Sequence, residues 1–217
     1  MDFFKDIERA TFVIPKRGGQ CVLINNFFIL TAAHCVDFSL EGDMPLGNFY
    51  IEELRAGNII LKVEPRFVDP VSDIAILSSL DDQAFHDEVL AFEDFCDQIK
   101  PIQICQSEFE FFKEFPVYIY THKKTWIRAK AQQHGRETKF LGIESTEQIE
   151  RGTSGGPVVN DCGELVGIMS NAGIKREGND SILGFVPRPH LTIPVWAYRK
   201  IFNSVFDLNW TKNHKAK

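Results

Sequence analysis

What most limits the fold of this chain is its rhythm of short apolar runs, each closed by turn residues. The runs fall at residues 10–15, 21–25, 27–32, 49–54, 59–63 and 74–77. They resume at 102–105, 117–120, 127–131, 140–145, 157–159, 165–170 and 181–186. Runs this short, with little helical sequence between them, bury their apolar faces by pairing antiparallel, so the expected class is all-β. Asn25-Asn26 between two runs reads as a tight hairpin turn. Three segments break the rhythm. Phe3, Phe4, Ile7 and Ala10 have helical spacing, enough for one or two turns docked on the body. In 81–99, Phe85, Val89, Phe92, Cys96 and Ile99 recur alternately four and three apart among acids, which fits an amphipathic helix or an acidic connecting loop. Val195, Tyr198, Ile201, Phe202 and Val205 follow Pro194, which is placed as the first residue of a C-terminal helix.

The chain therefore reads as two sets of about six strands, joined by an acidic segment and closed by a helix. Its 217 residues, 44% hydrophobic, can bury a substantial core. No apolar run approaches the roughly 20 residues of a membrane-spanning helix. The start, MDFFKDIERA, carries acids where a signal peptide carries positive charge, so a cytoplasmic protein is expected. A net charge of -6 argues against nucleic acid or an anionic membrane as partner. The basic groups His122-Lys123-Lys124 and 212–217 read as solvated surface. The five cysteines contain no C-x-x-C, and no H-E-x-x-H occurs, so neither a structural metal nor a cofactor is expected.

Chemistry gathers at three short stretches. Gly152-Thr153-Ser154-Gly155-Gly156-Pro157 presents a serine among glycines. A serine hydroxyl attacks a carbonyl only when a base takes its proton, usually a histidine oriented by a carboxylate. Thr31-Ala32-Ala33-His34-Cys35 supplies the histidine, with small residues before it that let the chain turn and the ring face outward. Asp73 stands at the mouth of the apolar strand Ile74-Ala75-Ile76-Leu77, where an acid can be anchored beneath that ring. Asp69 lies close by, but the apolar strand follows Asp73 directly. The glycines allow the backbone N–H groups of Gly152 and Ser154 to converge as an oxyanion hole. The same G-x-S-x-G also fits the nucleophile elbow of α/β-hydrolases. That elbow needs a helix after its serine and partners later in the chain. Here strand sequence follows, and the histidine and aspartate come first.

TAAHC, SDIAIL and GTSGGP, in that order, resemble the trypsin/chymotrypsin-like serine proteases. The stretch LINNFFILTAAHC is similar to that family's hairpin leading to its histidine. RGTSGGPVVNDCGELVGIMS resembles the high-temperature-requirement branch and its bacterial relatives. The resemblance spans roughly residues 10–205. It implies two six-stranded antiparallel β-barrels: residues 1–100 carrying His34 and Asp73, and residues 101–217 carrying Ser154 and the C-terminal helix. It implies a serine endopeptidase in which His34 is the general base, Asp73 its orienting acid and Ser154 the nucleophile. Gly152 and Ser154 would donate to the oxyanion. Ser170, Asn171, Ala172 and Gly173 would pair with the substrate backbone, and Gln148 and Ile149 would lie near the base of the specificity pocket.

Departures from the family are informative. Secreted trypsins are switched on when cleavage creates an amino terminus that pairs with an aspartate just before the serine. Here that residue is Thr153, so activation by cleavage is not expected. The peptide-binding domain that follows in the high-temperature-requirement branch is missing from these 217 residues, leaving room for a separate regulatory partner. No acid marks the pocket, so cleavage after Lys or Arg is not expected. Ile149, Met169, Ala172 and Phe185 suggest a small or apolar side chain, whereas Lys175 and Arg176 would favour an acid. The family often bridges the cysteine beside its histidine. The usual partner site of Cys35 holds Gly19, with Cys21 two residues on; pairing of Cys21 with Cys35 stays open, and free thiols are expected. The alternative function is a latent or inactive protease fold that binds until a partner orders its site.

Overall fold

The computed structural model describes residues 3–25, 27–37, 51–70, 72–81, 83–107, 109–134, 140–171 and 190–194. Helix α1 (Phe3–Arg9) leads into a first set of strands: β1 (Thr11–Ile14), β2 (Gly19–Asn25), β3 (Phe28–Thr31), β4 (Glu52–Ala56), β5 (Ile59–Asp69) and β6 (Ile74–Ser78). They close into a barrel in the order β1-β2-β3-β6-β5-β4, sealed where Val13 pairs with Arg55. Helix α2 (His86–Asp97) follows. The second set is β7 (Glu114–Tyr120), β8 (Trp126–His134), β9 (Phe140–Glu144), β10 (Pro157–Val159), β11 (Leu165–Asn171) and β12 (His190–Pro194). These close as β10-β11-β12-β9-β8-β7, sealed by Val158 against Ile119. Read from its other end, this is the strand order of the first barrel. The expected pair of six-stranded barrels is present.

Local patterns explain the elements. Strands β3 and β6 are adjacent and buried along their whole length, which accounts for continuous runs such as Ile74-Ala75-Ile76-Leu77 in place of an alternation. In α2 the buried residues are Val89, Phe92 and Cys96, one face of a helix laid against the first barrel. The segment left open as helix or loop is thus helical over most of its length. One apolar cluster fills the first barrel and continues through Val159, Leu165 and Ile168 of the second. The two barrels are therefore packed through apolar contact, and a cleft between them has rigid walls.

Several details differ from the sequence reading. Residues 102–105 make no strand: a single parallel bridge joins Ile104 to Leu165, and Ile102 and Cys105 are buried as the chain crosses between barrels. Strand β5 runs past the expected 59–63 to Asp69, absorbing Pro65 in an irregular register between Pro65 and Phe67. Pro194 is the last residue of β12, paired with Gly167, and not the first of a helix. A proline at a strand end sacrifices no interior ladder bond, so the position suits either element. The expected strand 181–186 and the C-terminal helix lie outside the described residues, as do residues 49 and 50 of the run 49–54, whose remainder leads into β4.

Helix α1 straddles both barrels. Ile7 and Ala10 join the first core, while Phe4 packs its ring on Tyr118 and Trp126, at centroid distances of 5.3 and 4.4 Å. Glu8 accepts a 2.8 Å hydrogen bond from the Trp126 indole. None of the five cysteines is in a disulfide. Cys35 packs on Gly19, where an added Cβ would lie 2.3 Å from its sulfur, whereas Cys21 Sγ approaches the carbonyl of Phe12 at 3.8 Å. Among the described residues no helix is long and apolar enough to cross a membrane.

Candidate active site

The first barrel delivers a histidine and a carboxylate to the same point. Beyond β3 the buried Ala32 and Ala33 carry the chain into a single 3₁₀ turn, Ala33–Cys35, which leaves the His34 ring exposed. Asp73 stands just before β6 with φ 55, a left-handed conformation that aspartate tolerates better than most residues. Its Oδ1 accepts the His34 backbone N–H at 2.9 Å, and the ring Nδ1 lies 2.8 Å from Oδ2 and 3.0 Å from Oδ1. Ser170, from β11 of the other barrel, donates to Oδ2 at 2.7 Å.

These contacts set the charges. Burial pushes the Asp73 carboxyl up, but hydrogen bonds from His34 and Ser170 outweigh it and hold the group below the usual carboxylate range. The hydrogen bond to Asp73, with a smaller contribution from the Cys35 thiol, raises the His34 ring well above its ordinary value of 6.5. Asp73 is thus an anion that fixes the ring through Nδ1 and strengthens it as a base.

Strand β10 is preceded by the loop that carries the serine. Gly155 N–H donates to Met169 O at 2.6 Å and Gly156 N–H to Thr153 O at 2.9 Å, while the Ser154 carbonyl accepts Gln20 N–H at 2.7 Å across the barrel boundary. Gly155 has φ 76, and a Cβ there would lie 2.0 Å from the Gln20 carbonyl oxygen, so no other residue fits. The amides of Gly152 and Ser154 donate to no acceptor among the described residues. A cleft of about 470 Å³ opens here, lined by Gly19, His34, Asp73, Gly152, Ser154 and Ser170, with Arg17 and Arg151 at its sides. Ser154 shares that cleft but makes no hydrogen bond to the His34 ring.

Other sequence-derived site residues are scattered. Ile149 is buried in the core of the second barrel and Gln148 is exposed; neither lines the cleft among the described residues. Asn171 ends β11, paired with Leu191, whereas Ala172 and Gly173 lie outside the described residues. The sequence reading missed the Ser170 bond to Asp73, the Gln20 bond to Ser154 and the two flanking arginines. No local motif marks any of them, because each depends on how the barrels dock.

Residues 19–168 match the family described as the trypsin-like peptidase domain. The chain belongs to that family. It is a serine protease of trypsin-like fold, and this peptidase has several structural likenesses. It is similar to the active form of the Rv3671c protease from M. tuberculosis, at TM-score 0.59 and 15% identity over 94% of this chain and 84% of that one. The serine endoprotease from Yersinia pestis superposes with TM-score 0.59 and 16% identity, covering 94% of this chain and 65% of that. The HtrA-type protease AlgW with decapeptide gives 0.54 and 14%, covering 88% and 52%. No curated protein is a significant sequence match.

Proposed function

We propose that this peptidase hydrolyses peptide bonds through an acyl-enzyme formed on Ser154. His34 takes the Ser154 Oγ proton as the oxygen attacks the carbonyl carbon, and the oxyanion settles against the amides of Gly152 and Ser154. The C–N bond then breaks as His34 returns the proton to the leaving amine. Water, deprotonated by the same ring, releases the acid and restores Ser154. The observation that carries this reading is the Asp73–His34 pair, held at 2.8 Å and tied to the second barrel by Ser170, in one cleft with Ser154 and two unengaged amides. Residues 1–100 and 101–217 are the two units that meet there. Protein or peptide is the substrate class, with a small or apolar side chain before the cut. The site forms on folding, without amino-terminal cleavage, and the enzyme works in the reducing cytoplasm, a reading supported by cysteines that form no disulfide.

The test is turnover of a quenched-fluorescent casein by the protein and by Ser154→Ala. Loss of at least about 10³-fold in kcat/KM is expected; retained turnover in the variant would refute the mechanism. One observation favours a second reading: Ser154 makes no hydrogen bond to the ring, as in a site completed only by a ligand or partner. Turnover that starts only after a non-cleaved peptide is added would select it.

A further inference from the structure

Thr153 lies between the two amides assigned to the oxyanion, and it is fully buried. Its hydroxyl shares a 3.3 Å hydrogen bond with Nδ1 of His122, a residue to which sequence reasoning gave no part. His122 stands on the turn between β7 and β8. That turn is held by Thr121 N–H to Thr125 O at 2.9 Å, Lys124 N–H to Thr121 O at 2.9 Å, and the two threonine hydroxyls 2.7 Å apart. A second tie joins the same two segments: Lys123 Nζ to Glu150 Oε1 at 2.6 Å. The His122 ring also covers Gly152, which has φ 92; a Cβ there would lie 3.2 Å from the ring's Cγ. Behind the turn, Trp126 packs on Tyr120 at 5.1 Å and is anchored to α1 through Phe4 and Glu8.

We propose that His122 is a positioning residue for the oxyanion amides. It holds Thr153 by its hydroxyl and Gly152 by contact, fixing both N–H groups without a charged amino terminus. This rests on reading Gly152 and Ser154 as oxyanion donors. A loop of glycines has many conformations to lose, and the half-buried bond and the ring restrict them before substrate arrives. Unlike a pairing with a newly made ammonium, this contact is built as the β7–β8 turn folds.

The experiment compares His122→Ala, His122→Asn, Thr153→Val and the double variant Thr153→Val/His122→Ala. It measures kcat and KM on the casein substrate, and the acylation rate by a fluorophosphonate. His122→Ala is expected to lose roughly 10–100-fold in kcat and in acylation rate with KM little changed, since the loss falls on the transition state. Thr153→Val is expected to show the same split, the double variant no more than the worse single, and His122→Asn, which keeps a polar atom near Nδ1, partial recovery. Thr153→Val carries the test if His122→Ala does not fold. Wild-type kcat in His122→Ala, or losses that simply multiply in the double variant, would overturn the proposal. If the native protein itself is neither acylated nor active, the oxyanion reading has failed; if it is both and His122→Ala matches it, only the role of His122 has.

Discussion

His34 can act as a base only when neutral, and the Asp73 carboxylate keeps it protonated to higher pH than a free histidine. On the acid side, kcat/KM should therefore rise with pH through a midpoint displaced above 6.5. Asp73→Asn is expected to bring that midpoint back down and to lower kcat by about 10⁴-fold, because the ring loses the acceptor that fixes its tautomer. A pH–rate profile of both proteins checks it; an unmoved midpoint would separate Asp73 from the histidine. Stability follows the same pair. The raised His34 pKa adds stability that is fully present below about 6.5 and is lost as pH rises through the folded value. The depressed Asp73 pKa adds stability present above about 3.9, lost as pH falls through its own folded value. Removing the Ser170 hydroxyl weakens what holds Asp73 ionised, so in Ser170→Ala the loss of stability below about pH 3.9 in a urea-midpoint profile should be smaller and complete at higher pH. That His34, Asp73 and Ser154 would come to one cleft was legible because each sits in a short motif whose neighbours make chemical sense. The Ser170–Asp73 and His122–Thr153 bonds were not, because no motif marks Ser170 as a partner of Asp73 or His122 as a partner of Thr153.

Elements that bury one or both faces announced themselves; those shaped by a neighbour did not. Strands β3 and β6 follow from apolar runs alone, and α2 is one of the two forms that the apolar spacing of 81–99 left open. The full length of β5 was hidden by Pro65, and β12 by Pro194, a residue that begins helices as readily as it ends strands. The serine loop depends on the barrel beside it. At Gly155 both a positive φ and the Gln20 carbonyl exclude a side chain, so Gly155→Ala combines backbone strain with overpacking. A loss of about 2–4 kcal/mol in urea unfolding is expected; a change below about 0.5 kcal/mol would mean the loop relaxes freely. Phe92, fully buried where α2 meets the first barrel, should cost about 3–5 kcal/mol as Phe92→Ala in the same assay.

Across the whole molecule, two copies of one strand order pack together through a shared apolar cluster, and the cleft exists only because they dock. The Ser154 carbonyl bound to Gln20, the Ser170 hydroxyl bound to Asp73 and the apolar continuity through Leu165 and Ile168 all cross that boundary. Helix α1 crosses it too, and through Trp126 it backs the turn that carries His122. Deleting residues 2–9 is accordingly expected to lower both thermal stability and turnover. A jump in activity on truncation would reveal an inhibitory segment and contradict a site that forms on folding. The double barrel could be inferred from strand rhythm and motif order, whereas the docking contacts could not, since no single stretch of sequence encodes them. The most direct measurement is labelling of the native protein with a fluorophosphonate, followed by mass-spectrometric location of the adduct and comparison with Ser154→Ala. One adduct per chain, on Ser154 and absent from the variant, is the expected result; no adduct on well-folded protein, or one on another residue, would contradict an assembled His34-Asp73-Ser154 site.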